Sequence, residues 1–166
     1  MRSPVRAALG LGSNLGDRLA QLSAAIDSLR REPGIESLLV SSFFETAPVG
    51  GPDQGEFINA VAVFDTTLTP TQLLALARRC EEGAGRVRVE RWGPRTLDVD
   101  VLAYDDVVVA TRELTLPHPR AVERAFVLVP WAEIDPTFVV NGRSVEEWAS
   151  AVDDAGVRPM AGGTGG

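Results

Sequence analysis

The sequence predicts an α+β fold, a ferredoxin-like α/β sandwich with added strands and C-terminal helices. Segments rich in β-branched and aromatic residues alternate with segments of helical periodicity, and over residues 5–104 their order is strand, helix, strand, strand, helix, strand. Of the 166 residues, 45% are apolar, which is enough for one hydrophobic core. Neither an internal repeat nor a linker is visible, so we expect a single domain over residues 1–160.

The first half of the chain contains three predicted strands and a helix. Residues 5–11 form a short apolar strand, and apolar residues then recur at helical spacing until Pro33-Gly34. Two further strands are predicted at 35–44 and 57–64, because both segments are rich in Ile, Val, Leu and Phe. The Pro/Gly-rich stretch 47–55 predicts a long loop between them.

A second helix and a strand pair follow. Thr69 to Gln72 forms a capping box with proline at the first helical position, and the helix should end near Gly83. Residues 96–104 are predicted to form the next strand. We expect this strand to pair with residues 107–111 through a turn at Asp105-Asp106.

The C-terminal part of the sequence favours helices. Residues 121–134 are mostly apolar and predict a helix that Pro130 should break or bend. Asn141-Gly142 predicts a turn, and a capping box at Ser144 predicts a last helix that runs to about Val152. The glycine-rich tail, residues 161–166, has little to bury, so we expect it to be disordered.

Composition and charge exclude several classes of function. All 16 cationic residues are arginine, so Schiff-base chemistry and a Walker-A lysine are excluded. The net charge of −7 argues against nucleic acid as a partner. Cys80 is the only cysteine, which rules out an intrachain disulfide and a cysteine-rich zinc site. Without an apolar run long enough for a membrane span or a secretory signal, we expect no membrane partner and a cytoplasmic location.

Positive charge is concentrated in one short segment of this acidic chain. Arg86, Arg88, Arg91 and Arg95 fall within ten residues, and only Glu90 opposes them there. Such a cluster suits a small polyanion, for example a nucleotide triphosphate. A solvated loop of surface charges is the alternative.

The strand that follows carries two carboxylates. In an extended chain, Asp98 and Asp100 emerge on the same face about 6.5 Å apart, while the apolar residues between and after them face the core. Two carboxylates this close repel each other unless cations neutralise them, and Mg²⁺ suits the pair because it leaves other positions to water and phosphate. Alternating Asp on a solvated strand face is the structural alternative. Arginines that can bind phosphate lie directly before carboxylates that can bind a metal ion, and this combination favours phosphoryl transfer.

Several motifs together resemble those of one enzyme family. In chain order they are Gly12-Ser-Asn-Leu-Gly16, Thr46-x-Pro48-x-Gly50, Phe57-x-Asn59-Ala60, Gly85-Arg-Val-Arg88, Arg91-Trp-Gly-Pro-Arg-Thr-Leu-Asp-Val-Asp100 and Pro117-His-Pro119. This set resembles the 6-hydroxymethyl-7,8-dihydropterin pyrophosphokinase family over residues 7 to about 138. The resemblance implies a single catalytic domain that transfers diphosphate from ATP to 6-hydroxymethyl-7,8-dihydropterin, giving AMP and the pterin diphosphate for folate biosynthesis.

The resemblance also implies roles for individual residues. Two Mg²⁺ ions would be held by Asp98 and Asp100, and the catalytic residues would be Arg86, Arg95, Asp98 and Asp100. ATP would be bound by Glu81, Arg88, Trp92, Arg95, Val101, His118 and Arg124. The pterin would be bound by Thr46, Val49, Phe57, Asn59 and Phe126. In this arrangement the two phenylalanines stack on the pterin ring, and Asn59 reads its amide edge.

Each of these roles has a structural alternative. The phenylalanines are also suited to an ordinary core, Asn59 to a structural hydrogen bond, and His118 to capping a turn. Two other functions remain open from the sequence, a nucleotidyltransferase-like enzyme and a non-enzymatic ferredoxin-like ligand-sensing module. Glycines flank the arginine segment, so we expect residues 84–94 to be mobile until ATP binds.

Overall fold

The computed structural model describes residues 3–13, 17–46, 57–83 and 97–164 of the chain. The main sheet is built from β1 (Val5–Ser13), β2 (Ile35–Val40), β3 (Ser42–Thr46), β4 (Phe57–Thr66), β5 (Asp98–Tyr104) and β10 (Val157–Thr164). Short strands form two hairpins, β6 (Val109–Ala110) with β7 (Thr115–Leu116) and β8 (Val139–Val140) with β9 (Arg143–Ser144). The helices are α1 (Arg18–Arg31), α2 (Pro70–Gly83), α3 (Ala125–Ile134) and α4 (Val145–Ala151), with a 3₁₀ helix at Ala121–Glu123.

The main sheet is antiparallel at every pairing described. Its strand order is β10-β3-β4-β1-β5, and β2 also pairs with β4, beyond the part of β4 that β3 occupies. Helix α1 connects β1 to β2, and α2 connects β4 to β5. The α+β prediction is therefore confirmed, as are the two predicted helices of this region, whereas residues 5–104 contain one strand more than predicted.

The two faces of the sheet bury different sets of residues. On one face, Leu9 and Leu11 of β1 pack with α1 and α2 in the larger core cluster. On the other face, Ala8, Val61 and Leu102 pack with α3 and α4 around the buried Trp131. Alternation along each strand produces this division, because neighbouring side chains point to opposite faces.

The prediction of one strand over residues 35–44 was wrong, because two strands occupy this segment. They meet at the buried Ser41, whose N–H donates to the carbonyl of Val61 at 2.9 Å. The hydroxyl of Ser41 accepts from the N–H of Val61 at 2.9 Å and donates to the carbonyl of Ser42 at 2.8 Å. A side chain thus replaces a backbone acceptor where β2 ends and β3 begins.

The predicted pairing of β5 with residues 107–111 was also wrong. Asp105 has a φ of 49°, and the N–H of Val107 donates to the carbonyl of Tyr104 at 3.0 Å, so the chain turns sharply after β5. Strand β6 then pairs with β7 instead. Thr111 closes that hairpin, since its hydroxyl accepts from the N–H of Leu114 at 3.0 Å.

The C-terminal segment differs from prediction in two places. Helix α3 starts at Ala125 rather than at 121 and continues past Pro130. A proline there costs the hydrogen bond to the carbonyl of Phe126, and burial of the apolar helix offsets that cost. Strand β10 extends into the predicted tail, with Thr164 opposite Ser42 after a register shift beyond Pro159, and the expected disorder of the tail stays a prediction.

Local capping and turn signals agree with the sequence predictions. Thr69 and Gln72 exchange side-chain hydrogen bonds with each other's N–H groups at 3.1 and 2.8 Å. Ser144 accepts from the N–H of Glu147 at 3.2 Å at the start of α4. Asn141 and Gly142 have φ angles of 50° and 81° and join β8 to β9. Across the described ranges, none of the helices has the length and apolar character needed to span a bilayer.

Candidate active site

A cavity of about 550 Å³ lies at one end of the sheet, on the face that α3 partly covers. Strands β1, β3, β4 and β5 form its floor and sides, and the segment from Arg120 to Val127 closes it from above. The residues that line it with functional side chains are Thr46, Phe57, Asn59, Asp98, Asp100, Arg120, Arg124 and Phe126. Seven of these eight were predicted site residues, and the exception is Arg120.

Two glycines make the floor of the cavity. Gly10 and Gly12 of β1 stand opposite Asp100 and Asp98 of β5, and cross-strand partners share a face of the sheet. Because neither glycine has a side chain, the space above β1 stays open between the carboxylates on one side and Asn59 on the other. The cavity therefore exists because β1 carries no side chains at these two positions.

The two carboxylates follow the predicted alternation. Asp98 and Asp100 both line the cavity, whereas Val99 and Val101 are only 5% and 4% exposed and lie in the core on the opposite face. Within the described ranges, the side chains form no cluster of three or more potential metal ligands. Two carboxylates match the donor set of a magnesium ion that completes its coordination with water and substrate phosphate.

The carboxamide of Asn59 is fixed at the bottom of the cavity. Asn59 is 7% exposed, and its Nδ2 donates to Oγ1 of Thr46 at 2.8 Å. The register pairs Thr46 with Phe57 and Asn59 with Phe44, so Thr46 and Asn59 are diagonal neighbours on β3 and β4. The predicted site residues Thr46, Phe57 and Asn59 thus lie together.

The two predicted aromatic residues reach the cavity from different elements. Phe57 is at the start of β4, and Phe126 lies in the first turn of α3. Both are partly buried and both line the cavity. The guanidinium of Arg124 lies 5.5 Å from the centroid of the Phe126 ring, a cation–π contact that holds positive charge beside it.

His118 lies beside the aspartate end of the cavity without lining it. Its N–H donates to the carbonyl of Leu102 at 2.8 Å, and its Nδ1 accepts from the N–H of Arg120 at 3.1 Å. Burial lowers the pKa of His118, Arg124 and Arg120 lower it further, and Asp100 opposes them. Because Nδ1 is an acceptor, the neutral ring carries its proton on Nε2.

Two predicted ATP-binding residues lie elsewhere. Glu81 accepts a hydrogen bond from the N–H of Val99 at 3.0 Å, so its carboxylate contacts the edge of β5 and is not part of the cavity lining. The side chain of Val101 is buried in the core beside α1 and α2. The predicted role of Val101 at the ATP base stays a prediction, and its side chain points away from the face that carries Asp100.

Five of the predicted site residues lie outside the described residues. They are Val49, Arg86, Arg88, Trp92 and Arg95. The expected mobility of residues 84–94 falls in the same segment and stays a prediction. The sequence interpretation missed Arg120. Its position directly after the Pro117-His-Pro119 motif was the one feature of the sequence that could have pointed to a place in the cavity.

Comparison with known proteins identifies the family. A family model for 7,8-dihydro-6-hydroxymethylpterin-pyrophosphokinase (HPPK) matches residues 8–136. The chain belongs to this family. All of the described cavity-lining residues fall inside the matched range, whereas β10 lies beyond it.

Relatives from three bacteria carry the name 2-amino-4-hydroxy-6-hydroxymethyldihydropteridine pyrophosphokinase. The HPPK of Methylorubrum extorquens is 47% identical over 152 residues, which is 92% of this chain and 96% of the relative. The Mycobacterium tuberculosis H37Rv HPPK is 49% identical over 142 residues, covering 80% of this chain and 73% of the relative. The Bacillus subtilis HPPK is 41% identical over 150 residues, covering 90% and 87%.

Solved structures support the same fold. Wild-type Plasmodium falciparum HPPK-DHPS with pteroate matches with a TM-score of 0.67 at 15% identity, over 90% of this chain. The chain spans 43% of that solved chain, so the match concerns less than half of it. At this identity the likeness shows the HPPK fold alone.

Proposed function

We propose that this chain transfers the terminal diphosphate of ATP to the hydroxymethyl group of 6-hydroxymethyl-7,8-dihydropterin, giving AMP and the pterin diphosphate in folate biosynthesis. The observation that carries the proposal is one cavity that holds a carboxylate pair at one side and an amide between aromatic residues at the other. We further propose that one catalytic domain, the predicted residues 1–160, performs the reaction. Its proposed location is the cytoplasm, because ATP is an intracellular nucleotide.

The aromatic side of the cavity suits the pterin. Phe57 and Phe126 offer ring faces for stacking on a flat heteroaromatic ring, and Asn59 offers a donor and an acceptor for its amide edge. Burial of Asn59 strengthens this selection, because a ligand that left the amide unpaired would bind at a cost. Val49 is proposed from the family resemblance to assist with its main chain.

The carboxylate side suits magnesium and the phosphates. Asp98 and Asp100 would hold two Mg²⁺ ions, which when bound would neutralise triphosphate charge and polarise phosphoryl oxygens. Arg120 and Arg124 line the same cavity, and their guanidinium groups can donate to phosphate oxygens. His118 would add its Nε2 proton as a donor to ATP.

The remaining ATP contacts are proposed from the family resemblance. Arg86 and Arg95 would clamp the phosphates, and Arg88 and Trp92 would hold the nucleotide. Glu81 holds the edge of β5 through Val99, so a contact with the nucleotide would be additional to that structural bond.

The reaction itself is an in-line displacement. The hydroxymethyl oxygen forms a bond to the β-phosphorus, the bond between that phosphorus and the α,β-bridging oxygen breaks, and AMP leaves with that oxygen. The alcohol loses its proton to solvent as the new bond forms. Because the transition state is loose, little deprotonation is required beforehand. Positioning of the two substrates by the cavity and charge stabilisation by its arginines therefore provide most of the rate.

Release of AMP tests this function against its alternatives. The purified chain is incubated with ATP, Mg²⁺ and 6-hydroxymethyl-7,8-dihydropterin, and AMP and the pterin diphosphate are quantified by chromatography. Equal amounts of the two products, and none when the pterin is omitted, are expected. Release of inorganic pyrophosphate with a nucleotidylated product would indicate a nucleotidyltransferase, and ligand binding without turnover would indicate a sensing module.

A further inference from the structure

We propose that the C-terminal strand β10 positions Phe57 in the cavity by way of β3, so that Arg158 and Met160 are positioning residues for the pterin. The inference rests on the proposed function, since Phe57 is a proposed stacking residue of that site. Strand β10 lies beyond the residues that the family model matches, and none of its described residues lines the cavity.

The backbone of Phe57 is held from one side. Phe57 is the first residue of β4, and its cross-strand partner is Thr46, the last residue of β3. On the other side of β4, the pairing with β1 begins one residue later, at Ile58 opposite Ser13. Within the part of the chain that the structure describes, Phe57 therefore has a strand partner only on the β3 side.

Strand β3 in turn depends on β10. It pairs with β4 over only three residues, from Phe44 to Thr46. On its other edge the same three residues pair with β10, from Val157 to Pro159. A strand this short that is paired on one edge alone frays readily, whereas pairing on both edges holds it in the sheet. Strand β10 thus converts β3 from an edge strand into an interior strand.

The N–H groups of β10 show which backbone pair joins it to β3. The N–H of Val157 donates to the carbonyl of Asp154 at 3.0 Å, and Pro159 has no N–H. Antiparallel pairs alternate between those that exchange two hydrogen bonds and those that exchange none, so Arg158 is the residue that bonds to Glu45 in both directions.

The same alternation determines the next bond along the sheet. Because Glu45 directs its backbone groups to β10, Thr46 directs its N–H and carbonyl to Phe57 on β4. Backbone hydrogen bonds therefore run from Arg158 through β3 to Phe57. If the first of these bonds is lost, β3 loosens and the Phe57 ring no longer has a fixed position in the cavity.

Two side chains of β10 contribute unequally to its attachment. Met160 packs against the larger core cluster, on the face of the sheet away from the cavity. The guanidinium of Arg158 lies 3.7 Å from a carboxylate oxygen of Glu45, and such a solvated ion pair adds little stability. The backbone bond of Arg158 and the packing of Met160 therefore carry the positioning, and the charge of Arg158 does not.

Substitutions at Arg158 separate the backbone bond from the charge. Arg158→Pro removes the N–H that bonds to β3, and it should raise the KM for the pterin about fivefold because Phe57 is no longer held. The KM for ATP should stay within about twofold of the wild-type value, since the carboxylates lie on β5 at the other end of the strand order. Arg158→Ala keeps the backbone bond and should leave both KM values unchanged.

Two further variants separate positioning from stability. Met160→Ala weakens the attachment of β10 without touching the cavity, so it should raise the KM for the pterin in the same direction and by less than Arg158→Pro. Thr66→Val is the control at the far end of β4, where the buried hydroxyl donates to the carbonyl of Gly34 at 2.7 Å. That control should lower the melting temperature and leave both KM values unchanged.

Both KM values are measured from AMP formation in Mg²⁺, with the other substrate saturating, and amide hydrogen exchange is followed in parallel. Arg158→Pro should lose protection in β3 and at Phe57 and keep it in β5. A wild-type KM for the pterin in a folded Arg158→Pro protein, or an equal rise in both KM values, would overturn the inference alone. If Arg158→Pro does not fold, Met160→Ala decides by the same comparison.

The proposed function fails separately from this inference. A wild-type protein that forms no AMP would overturn the proposed function, and the exchange measurement would still test whether β10 holds β3 and Phe57. Unchanged protection at Phe57 in Arg158→Pro would then count against the positioning by β10.

Discussion

Asp98 and Asp100 are the residues on which the proposed chemistry depends most directly. They share one face of β5 with glycine opposite each of them, so no neighbouring β1 side chain separates them from the cavity. Asp98→Asn and Asp100→Asn keep the side-chain volume and remove a charge. Each should lower turnover in Mg²⁺ on the order of a hundredfold or more, while circular dichroism shows a folded protein.

A nearby aspartate provides the control for these variants. Asp106 is exposed in the turn after β5 and does not line the cavity. Asp106→Asn should therefore leave turnover at the wild-type value. A folded Asp98→Asn protein that kept most of its AMP-forming rate at saturating Mg²⁺ would contradict the carboxylate site.

Arg120 is the cavity residue that sequence interpretation missed, and its role is open to direct measurement. Its side chain lines the cavity with Arg124, on the segment that faces the carboxylates. Arg120→Gln should raise the KM for ATP about tenfold, because one charge-assisted hydrogen bond to phosphate is lost. Steady-state kinetics at saturating pterin measures the change.

The matched variant for Arg120 is Arg112→Gln. Arg112 is exposed between β6 and β7 and does not contribute to the cavity lining. Arg112→Gln removes the same charge as Arg120→Gln. An equal rise in the KM for ATP in both variants would therefore reflect the change in net charge rather than the loss of a contact in the cavity.

Residues differ in how far the sequence alone could place them. Alternation along a strand is a local property, so the shared face of Asp98 and Asp100 was predictable. The same alternation places Val101 on the opposite face, yet the family resemblance implied a contact at that position without distinguishing side chain from main chain. Arg120 could not be placed, because its direction depends on the bend of the chain after Pro117-His-Pro119.

At the scale of elements, the join between β2 and β3 is the most specific feature of the sheet. Ser41 replaces a backbone acceptor for Val61 there, in a fully buried position. Ser41→Ala should lower the free energy of unfolding by about 1 to 3 kcal/mol, because the N–H of Val61 loses its partner away from water. Urea denaturation followed by circular dichroism measures this change in the free energy of unfolding.

A partly exposed serine serves as the comparison for Ser41→Ala. Ser28 on α1 donates to the carbonyl of Ala24 at 3.1 Å on the outside of the helix. Ser28→Ala should change stability by less than about 0.5 kcal/mol, since water replaces the lost bond. Equal effects of the two substitutions would mean that Ser41 does not support the join.

Elements with local signals were predictable, and those with distant partners were not. The capping box at Thr69 and the N-cap bond of Ser144 act within four residues, and both form as predicted. The division of residues 35–46 into β2 and β3 depends on Val61, which is 20 residues from Ser41 in the chain. Strand β10 likewise depends on its pairing with β3, which its own composition does not indicate.

At the scale of the whole molecule, the sheet separates a fully covered face from a face that is partly open. Helices α1 and α2 cover the first, whereas α3 and α4 cover only the part of the second that carries Ala8, Val61 and Leu102. The cavity occupies the rest of that face. Ligand binding is thus built onto a core that is complete without the ligand.

Cys80 reports on the integrity of the covered face. It is 7% exposed on α2, packs in the larger core cluster, and has a pKa raised mainly by burial. A raised pKa means less thiolate at neutral pH, so both access and chemistry slow its reaction with a thiol reagent. Labelling of the native protein should be on the order of a hundredfold slower than in urea.

Because Cys80 is the only cysteine in the chain, the labelling signal comes from one site. Absorbance after addition of an aromatic disulfide reagent follows it directly. Rapid stoichiometric labelling of the native protein would mean that α2 separates readily from the sheet, contrary to the packing described.

The glycine floor of the cavity has a consequence for inhibition. An inhibitor that contacts Gly12 and Asn59 directly would meet backbone and a buried amide rather than an exchangeable side chain. Any substitution at Gly12 adds a Cβ beside Oδ1 of Asn59. An escape mutation there would therefore weaken substrate binding as well as inhibitor binding. Contacts confined to this floor should therefore present a high genetic barrier to resistance, whereas contacts with exposed side chains such as Arg120 should not.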